Sequence, residues 1–214
     1  MIHLYCERLG PGLGAEPINA LTNLAFLVAA WATWRLMRRS AGGVSGVWLL
    51  PMLMGTVALG SGLFHTFATP WALVLDVLPI LLFQLVFLWF YARRIVALGR
   101  VGSAVMLSAF LATALLGRRF PAVLNGSLMY APGVLVMMAL GIHHWAAARR
   151  EPFGLLAAAM LLLIAVVFRS IDQALCAAWP FGTHFLWHLL TALVCYVAAR
   201  ALLLNWPETG QRIA

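Results

Sequence analysis

The sequence has 214 residues but contains no lysine and only six acidic residues, and charged residues make up 9% of it. A soluble domain of this size needs more charged surface, and 64% of the residues here are hydrophobic. These proportions exclude an ordinary soluble domain and predict a single polytopic membrane domain over residues 1–214. The first apolar run is preceded by the acidic Glu7 and Glu16 rather than by a basic segment, so we expect no cleavable signal peptide.

Seven apolar runs follow one another, separated by glycine and proline residues. Each run has roughly the 20 residues that an α-helix needs to cross a hydrocarbon core of about 30 Å. The alternating pattern of a membrane β-barrel is missing. We therefore predict an all-α bundle of seven transmembrane helices. The predicted spans are 18–40, 45–67, 71–92, 101–117, 124–147, 153–177 and 183–204.

The net charge of +8 comes entirely from arginine, mostly at the ends of apolar runs. Lipid headgroups and membrane topology explain basic residues there, so the charge does not indicate nucleic-acid binding. An outer N-terminus and a cytoplasmic C-terminus place most arginines inside, with Arg118 and Arg119 as the main exception. The cytoplasmic set is Arg35, Arg38, Arg39, Arg93, Arg94, Arg100, Arg149, Arg150, Arg200 and Arg212. The outer side keeps Arg8, Arg118, Arg119 and Arg169.

Three histidines lie in or beside these apolar runs, where imidazole is costly to bury and commonly marks function. His65 ends the second span, and His184 and His188 begin the seventh, so alternating helices place all three on the N-terminal side of the membrane. His184 and His188 are four residues apart and point from one helix face. Three imidazoles with an open fourth position suit a catalytic zinc ion. We therefore predict a zinc site formed by these three histidines.

Two more polar residues are predicted to lie near the histidines. Ser61 is four residues before His65 on the same helix face, and Asp76 follows in the next span after a turn at Pro70. Asp76 either performs acid–base chemistry or only satisfies free amides near a helix N-terminus. Ser61 either takes part in the chemistry or lets two helices pack closely.

The remaining polar residues of the spans receive structural interpretations. Asp172 and Arg169, near the end of the sixth span, are predicted to form an ion pair. His143 and His144 end the fifth span on the opposite side of the membrane and are interpreted as interfacial.

The sequence has three cysteines. Cys6 and Cys176 both fall on the N-terminal side, which is oxidising if that side is outside, so a disulfide and two free thiols are both open interpretations. Cys195 lies within the seventh span and is assigned to packing.

Several segments together resemble the alkaline ceramidase family, within a wider group of seven-helix membrane hydrolases that includes the progestin and adiponectin receptors. The likeness covers nearly the whole chain, and the spacing of Ser61, His65 and Asp76 fits the family pattern. The matching segments are Tyr5-Cys6-Glu7, Glu16 to Asn23, Gly60 to His65, Asp76 to Pro79, Arg169 to Cys176 and His184 to His188.

The resemblance implies a zinc ion held by the three histidines, a catalytic role for Asp76 and oxyanion stabilisation by Ser61. It also implies a disulfide between Cys6 and Cys176. Eukaryotic members carry a calcium site in the N-terminal acidic segment, so the resemblance makes Glu7 and Glu16 candidate calcium ligands. Other ligand positions of that site hold leucine here.

The short, glycine-rich start resembles a prokaryotic member of the family. It implies a protein of the bacterial inner membrane whose substrate need not be ceramide itself. The arginine distribution predicts that the active site of such a protein faces away from the cytoplasm.

An amide is a poor electrophile and water is a poor nucleophile at neutral pH, and zinc corrects both. Our hypothesis is that zinc-activated water attacks the amide of ceramide or a related N-acyl lipid, with Asp76 as general base and acid and Ser61 as oxyanion donor. A lipid esterase or phospholipase is the alternative hydrolase, because the zinc chemistry is the same. The alternative from another class is a non-catalytic seven-helix receptor with structural zinc, which needs neither Asp76 nor Ser61.

Overall fold

The computed structural model describes residues 2–39 and 46–207, and within these ranges the regular structure is entirely helical. Seven helical stretches of the described chain are long and apolar enough to cross a membrane, which confirms the predicted helix class and number. The predicted span ends at 40 and 45, and Arg212, lie outside the described residues. The α-helices are α1 (Pro17–Thr22), α2 (Leu24–Arg39), α3 (Leu49–Phe67), α4 (Pro70–Arg94), α5 (Arg100–Arg118), α6 (Ala131–Ala146), α7 (Gly154–Leu175) and α8 (His184–Leu204).

The fifth span is not the single α-helix that the sequence predicts for 124–147. It begins with a 3₁₀ helix, Val123–Tyr130, and becomes α-helical at Ala131. Inside the 3₁₀ helix three consecutive residues have positive φ angles, at Leu124 (52°), Asn125 (51°) and Gly126 (71°). Asparagine and glycine tolerate this left-handed conformation better than other residues. The apolar run continues through the irregular turn, which is why hydropathy alone does not detect it.

The interior of the bundle is a continuous apolar core to which helices α2 to α8 all contribute. Large apolar side chains on the outside, such as Leu59, Val101 and Leu135, are exposed, as expected for helices that face lipid. His144, two residues before the end of α6, is buried between protein groups, and its position at a membrane interface stays a prediction. Its Nδ1 accepts a hydrogen bond from the Tyr91 hydroxyl at 2.6 Å, and its Nε2 donates to the Arg150 carbonyl at 3.0 Å.

The residues before α1 fold over one end of the bundle. The Ile2 amide donates to the Ala68 carbonyl at 2.8 Å, and Tyr5 is buried against Phe64. Cys6 and Cys176 form a disulfide, as the resemblance implies. This cross-link ties the N-terminal segment to the end of α7, so the segment covers the end of the bundle that holds the histidines.

The close contact between α3 and α4 depends on Gly60. A β-carbon at this position would lie 2.6 Å from the Leu75 carbonyl carbon and 3.3 Å from the Asp76 amide nitrogen, both in the backbone of α4. The missing side chain therefore lets the two helices touch at the residue before Ser61. This contact sets the distance between Ser61 on α3 and Asp76 on α4.

We expect Gly60→Ala to force these helices apart and to lower the melting temperature of the detergent-purified protein, because overpacking typically costs about 1–3 kcal/mol. Gly62→Ala is the matched control, since a β-carbon there meets nothing within 4 Å. Thermal unfolding of both variants tests the contact. Equal melting temperatures for the two variants would contradict it.

Candidate metal centre

The structure brings His65, His184 and His188 together from two helices that are far apart in sequence. One nitrogen from each ring lies within 4.8 Å of those of the other two, and all three residues are buried. His65 Nε2 lies 3.1 Å from His188 Nε2. Two ligands of a tetrahedral zinc ion with Zn–N bonds near 2.05 Å are about 3.3 Å apart. His65 and His188 therefore have the separation of two zinc ligands, and His184 is close enough to be the third.

The other ring nitrogen of His188 faces Thr22 at the end of α1. Thr22 Oγ1 lies 2.9 Å from His188 Nδ1 and 2.8 Å from the Ile18 carbonyl. The hydroxyl proton is needed for that carbonyl, so the oxygen accepts a hydrogen bond from His188 Nδ1–H. This assigns the tautomer in which Nε2 carries a free lone pair, which is the form that binds metal.

His65 is held in the same way by a carboxylate. Its Nδ1 lies 2.5 Å from Glu16 Oε2, and Glu16 Oε1 accepts from Arg8 Nε at 2.5 Å. Arg8 also donates from Nη2 to the His65 carbonyl at 2.8 Å. Burial alone would raise the pKa of Glu16, but the hydrogen bonds from His65 and Arg8 outweigh it and hold that pKa below its ordinary value. The charged carboxylate therefore directs His65 Nε2 toward the other two histidines.

His184 is positioned by its backbone and by Tyr5. Its ring stacks on the Tyr5 ring with centroids 3.4 Å apart and an interplanar angle of 11°. The His184 amide donates to Asp172 Oδ1 at 2.9 Å, which fixes the start of α8. His184 Nδ1 is buried and has no hydrogen-bond partner among the residues that the structure describes. An orphaned imidazole nitrogen in such a cluster is available to a metal ion, so the donor set fits a three-histidine site.

Asp76 and Ser61 lie beside the histidines, as their predicted positions require. Both are buried, and the Ser61 hydroxyl interacts with the Asp76 carboxylate. Asp76 lies in the second turn of α4 and is also close enough to His65 to interact with it electrostatically. A carboxylate and a hydroxyl therefore share one small buried region with the candidate metal ligands.

The predicted ion pair between Asp172 and Arg169 is wrong. Asp172 uses its carboxylate for backbone amides: Oδ2 accepts from Cys6 at 2.9 Å, and Oδ1 accepts from Thr183 at 2.6 Å and from His184. Arg169 donates instead to the Ser127 hydroxyl at 2.7 Å. Arg169 and Asp172 are three residues apart on α7, but each forms its hydrogen bonds with a different part of the chain instead of with the other.

Neither Glu7 nor Glu16 presents a free carboxylate to a calcium ion. Glu7 Oε1 and Oε2 accept from the amides of Ile18 and Asn19 at 2.6 and 2.8 Å. Burial raises the pKa of Glu7, and these two hydrogen bonds partly offset the rise. Glu16 is already neutralised by Arg8, as described above. The geometry therefore gives no support to the calcium site that the resemblance implied.

Three residues that contact the histidines received no role from the sequence. Thr22 and Arg8 are ordinary residue types in their local context, and Tyr5 lies in a segment without helical pattern. Only the folding of the N-terminal segment over the bundle brings them to the rings. A hydroxyl, a guanidinium and an aromatic ring near the first span are too common in membrane proteins to mark a site by themselves.

The fold and the site define a seven-helix membrane protein with a buried three-histidine centre. The family model described as Ceramidase matches residues 11–211, which is nearly the whole chain. The chain therefore belongs to the ceramidase family, and the resemblance to alkaline ceramidases is confirmed. Membership implies a hydrolase that acts on an amide bond. No curated protein and no solved structure matches this chain.

We expect Glu16→Gln to weaken metal binding about 10- to 100-fold, because a neutral amide orients His65 less firmly than a carboxylate does. Competition between the purified protein and a chelator, followed by metal analysis, measures this loss. Glu151→Gln is the control, since it breaks only the ion pair with Arg200 at the other end of the bundle. Unchanged metal affinity in the Glu16 variant would refute the orienting role.

Proposed function

We propose that this protein is a zinc-dependent hydrolase that cleaves the amide bond of ceramide or a related N-acyl lipid. The observation that carries the proposal is the convergence of His65, His184 and His188 beside Asp76 and Ser61. The all-imidazole donor set suits zinc among the common metals. When bound, zinc supplies a Lewis acid for the amide carbonyl and lowers the pKa of coordinated water to about 7.

In this proposal Asp76 moves the proton. Its carboxylate takes a proton from the attacking water and later delivers it to the nitrogen of the departing amine. This protonation is needed because the nitrogen would otherwise have to leave as an anion, which is a very poor leaving group. In the same proposal the Ser61 hydroxyl, which interacts with Asp76 in this structure, turns its hydrogen to the oxygen that becomes negative as the carbonyl is attacked. A purely structural metal site would need neither group, which disfavours the non-catalytic receptor.

A small apolar cavity inside the bundle marks where an acyl chain could enter between the helices. Its walls include Trp187, Thr191 and Cys195, which continue along α8 from the histidines. It extends between helices α2 to α8, and nearly all of its lining is apolar. A lipid bound with its chain in this cavity would present its amide to the histidine end of α8. The same walls would exclude bulk water from the reaction.

We also propose the orientation in which the N-terminus and the site face away from the cytoplasm. The excess of arginine at the opposite ends of the spans supports it through the positive-inside rule. The disulfide between Cys6 and Cys176 lies at the site end, and an oxidising compartment favours such a bond. We further propose a single domain over residues 1–214 and, because the start of the chain resembles a prokaryotic member of the family, a location in a bacterial inner membrane.

His184→Ala is expected to abolish both bound zinc and lipid hydrolysis, because two imidazoles leave the ion with too few protein ligands. Metal analysis and product detection on the same sample test this. His143→Ala at the opposite end of the bundle is the control and keeps both. A His184 variant that remains fully active after metal removal would refute the mechanism.

Asp76→Asn is expected to lower the rate of amide hydrolysis about 10²- to 10⁴-fold while zinc stays bound, because asparagine cannot accept the proton. Ser61→Ala is expected to cost about 10²- to 10³-fold, the usual effect of losing one oxyanion donor. Ser170→Ala is the control, since this hydroxyl donates only to the Val166 carbonyl of its own helix. Normal turnover in the Asp76 variant would remove that residue from the mechanism.

A further inference from the structure

Arg169 is a partly buried cation next to the candidate metal centre that the proposed mechanism does not use. Its Nη1 donates to the Asn125 carbonyl at 3.1 Å and to Ser127 Oγ at 2.7 Å, and its Nη2 donates to the Tyr5 hydroxyl at 3.3 Å. A guanidinium has five N–H donors. These bonds use three of them and fix the plane of the group, so donors remain for a further acceptor.

The surroundings of Arg169 leave its charge largely uncompensated. None of the ion pairs found in residues 2–39 and 46–207 includes Arg169, although Asp76 is close enough to interact with it electrostatically. The guanidinium carbon lies 5.2 Å from the centroid of the Tyr130 ring and 5.9 Å from that of Trp187. Aromatic faces stabilise a cation weakly and do not neutralise it. A buried charge without a carboxylate is costly, so an anionic ligand would bind here favourably.

Two contacts place this cation beside the reacting groups. Tyr5, which accepts a hydrogen bond from Arg169, stacks on His184. Trp187, whose ring lies near the guanidinium, is the residue before His188 on α8. A single aromatic ring therefore separates Arg169 from the candidate metal ligands. A group bonded to Arg169 would lie next to an amide held at those ligands.

The exposed charged residues at this end of the bundle are positive, like Arg169. Arg118 and Arg119 are exposed at the end of α5, just before the 3₁₀ helix whose carbonyl and hydroxyl groups hold Arg169. Arg118 also interacts electrostatically with Tyr130. The acidic residues at this end are all buried and contribute no charge at the surface itself; they are Glu7, Glu16, Asp76 and Asp172. The approach to the site is therefore electropositive, which attracts anions.

We propose that Arg169 binds an anionic oxygen group, a carboxylate or a phosphate, attached close to the amide of the lipid substrate. The planar fork of arginine matches either group with paired hydrogen bonds. Ceramide itself offers only neutral hydroxyls there. This inference rests on the proposed amide hydrolysis and names its substrate class. It also explains why Arg118 and Arg119 depart from the positive-inside pattern, because they draw anionic lipid toward the site.

Matched lipid pairs test the proposal on the purified, zinc-loaded full chain in nanodiscs. N-palmitoylglycine is compared with N-palmitoylethanolamine, and ceramide 1-phosphate with ceramide. We expect kcat/KM to favour the anionic member of at least one pair about 10-fold or more, the usual scale of a hydrogen bond to a charged group. The pair that shows the preference identifies carboxylate or phosphate. Equal or inverted preference in both pairs overturns the proposal.

Variants assign the preference to its residue. Arg169→Gln is expected to remove it, mainly through a higher KM for the anionic lipid, while Arg169→Lys keeps part of it. Arg118→Gln should slow capture of the anionic lipid at low salt, whereas Arg100→Gln, exposed at the other end of α5, should have no effect. An Arg169→Gln variant that loses the same factor on both members of a pair overturns the assignment.

A binding measurement separates this proposal from the proposed hydrolysis. Metal-free protein is titrated with N-palmitoylglycine and with N-palmitoylethanolamine, and ceramide 1-phosphate is titrated against ceramide. Tighter binding of an anionic lipid, weakened by salt and by Arg169→Gln, supports the anion site even if no lipid is hydrolysed. Hydrolysis of neutral amides without any such difference in binding supports the enzyme and refutes the anion site.

Discussion

Imidazole rings buried in an apolar bundle need hydrogen-bond partners, and here the N-terminal segment supplies them. Glu16 and Thr22 each engage the Nδ1 atom of one histidine, and Tyr5 covers the ring of the third. The contacts of Glu16 and Thr22 favour the tautomers of His65 and His188 whose Nε2 lone pairs face the third histidine, and Tyr5 holds the ring plane of His184. The site therefore depends on the segment that folds over the bundle as much as on the helices that carry the histidines.

The N-terminal segment is held by hydrogen bonds to buried polar groups, and inside a membrane protein such groups find hydrogen-bond partners only within the protein. Asp172 accepts hydrogen bonds from the backbone amides of Cys6 and of the start of α8. Gly182, whose φ angle is 64°, lies close to this carboxylate. The disulfide adds a covalent tie at the same place. Because the same carboxylate anchors the N-terminal segment and α8, a disturbance of either one would be felt by the histidines. Rigidity of this kind is what a preorganised site requires.

The irregular start of the fifth span and the cation of Arg169 belong to one arrangement. The turn at Asn125 exposes a backbone carbonyl at membrane depth, where an unsatisfied polar group is costly. Arg169 donates to that carbonyl and to Ser127, so the irregular backbone and the cation stabilise each other. Hydropathy shows only that the fifth span is apolar. From the sequence, Arg169 is predicted to pair with Asp172, the nearest acidic residue on its own helix. The actual partners come from a span whose local shape the pattern does not show.

The sequence alone determined seven apolar helices, their approximate ends and the side of the bundle on which His65, His184 and His188 fall, because hydropathy and helix alternation depend only on local order. The family resemblance added the cysteine pair. Only the tertiary structure decided that the three rings meet, that Gly60 lets α3 and α4 touch, and that Arg8 pairs with Glu16. The distances between segments that are far apart in sequence are set by packing and by the need of every buried polar group for a hydrogen-bond partner. Both depend on several segments at once, so no single stretch of sequence determines them.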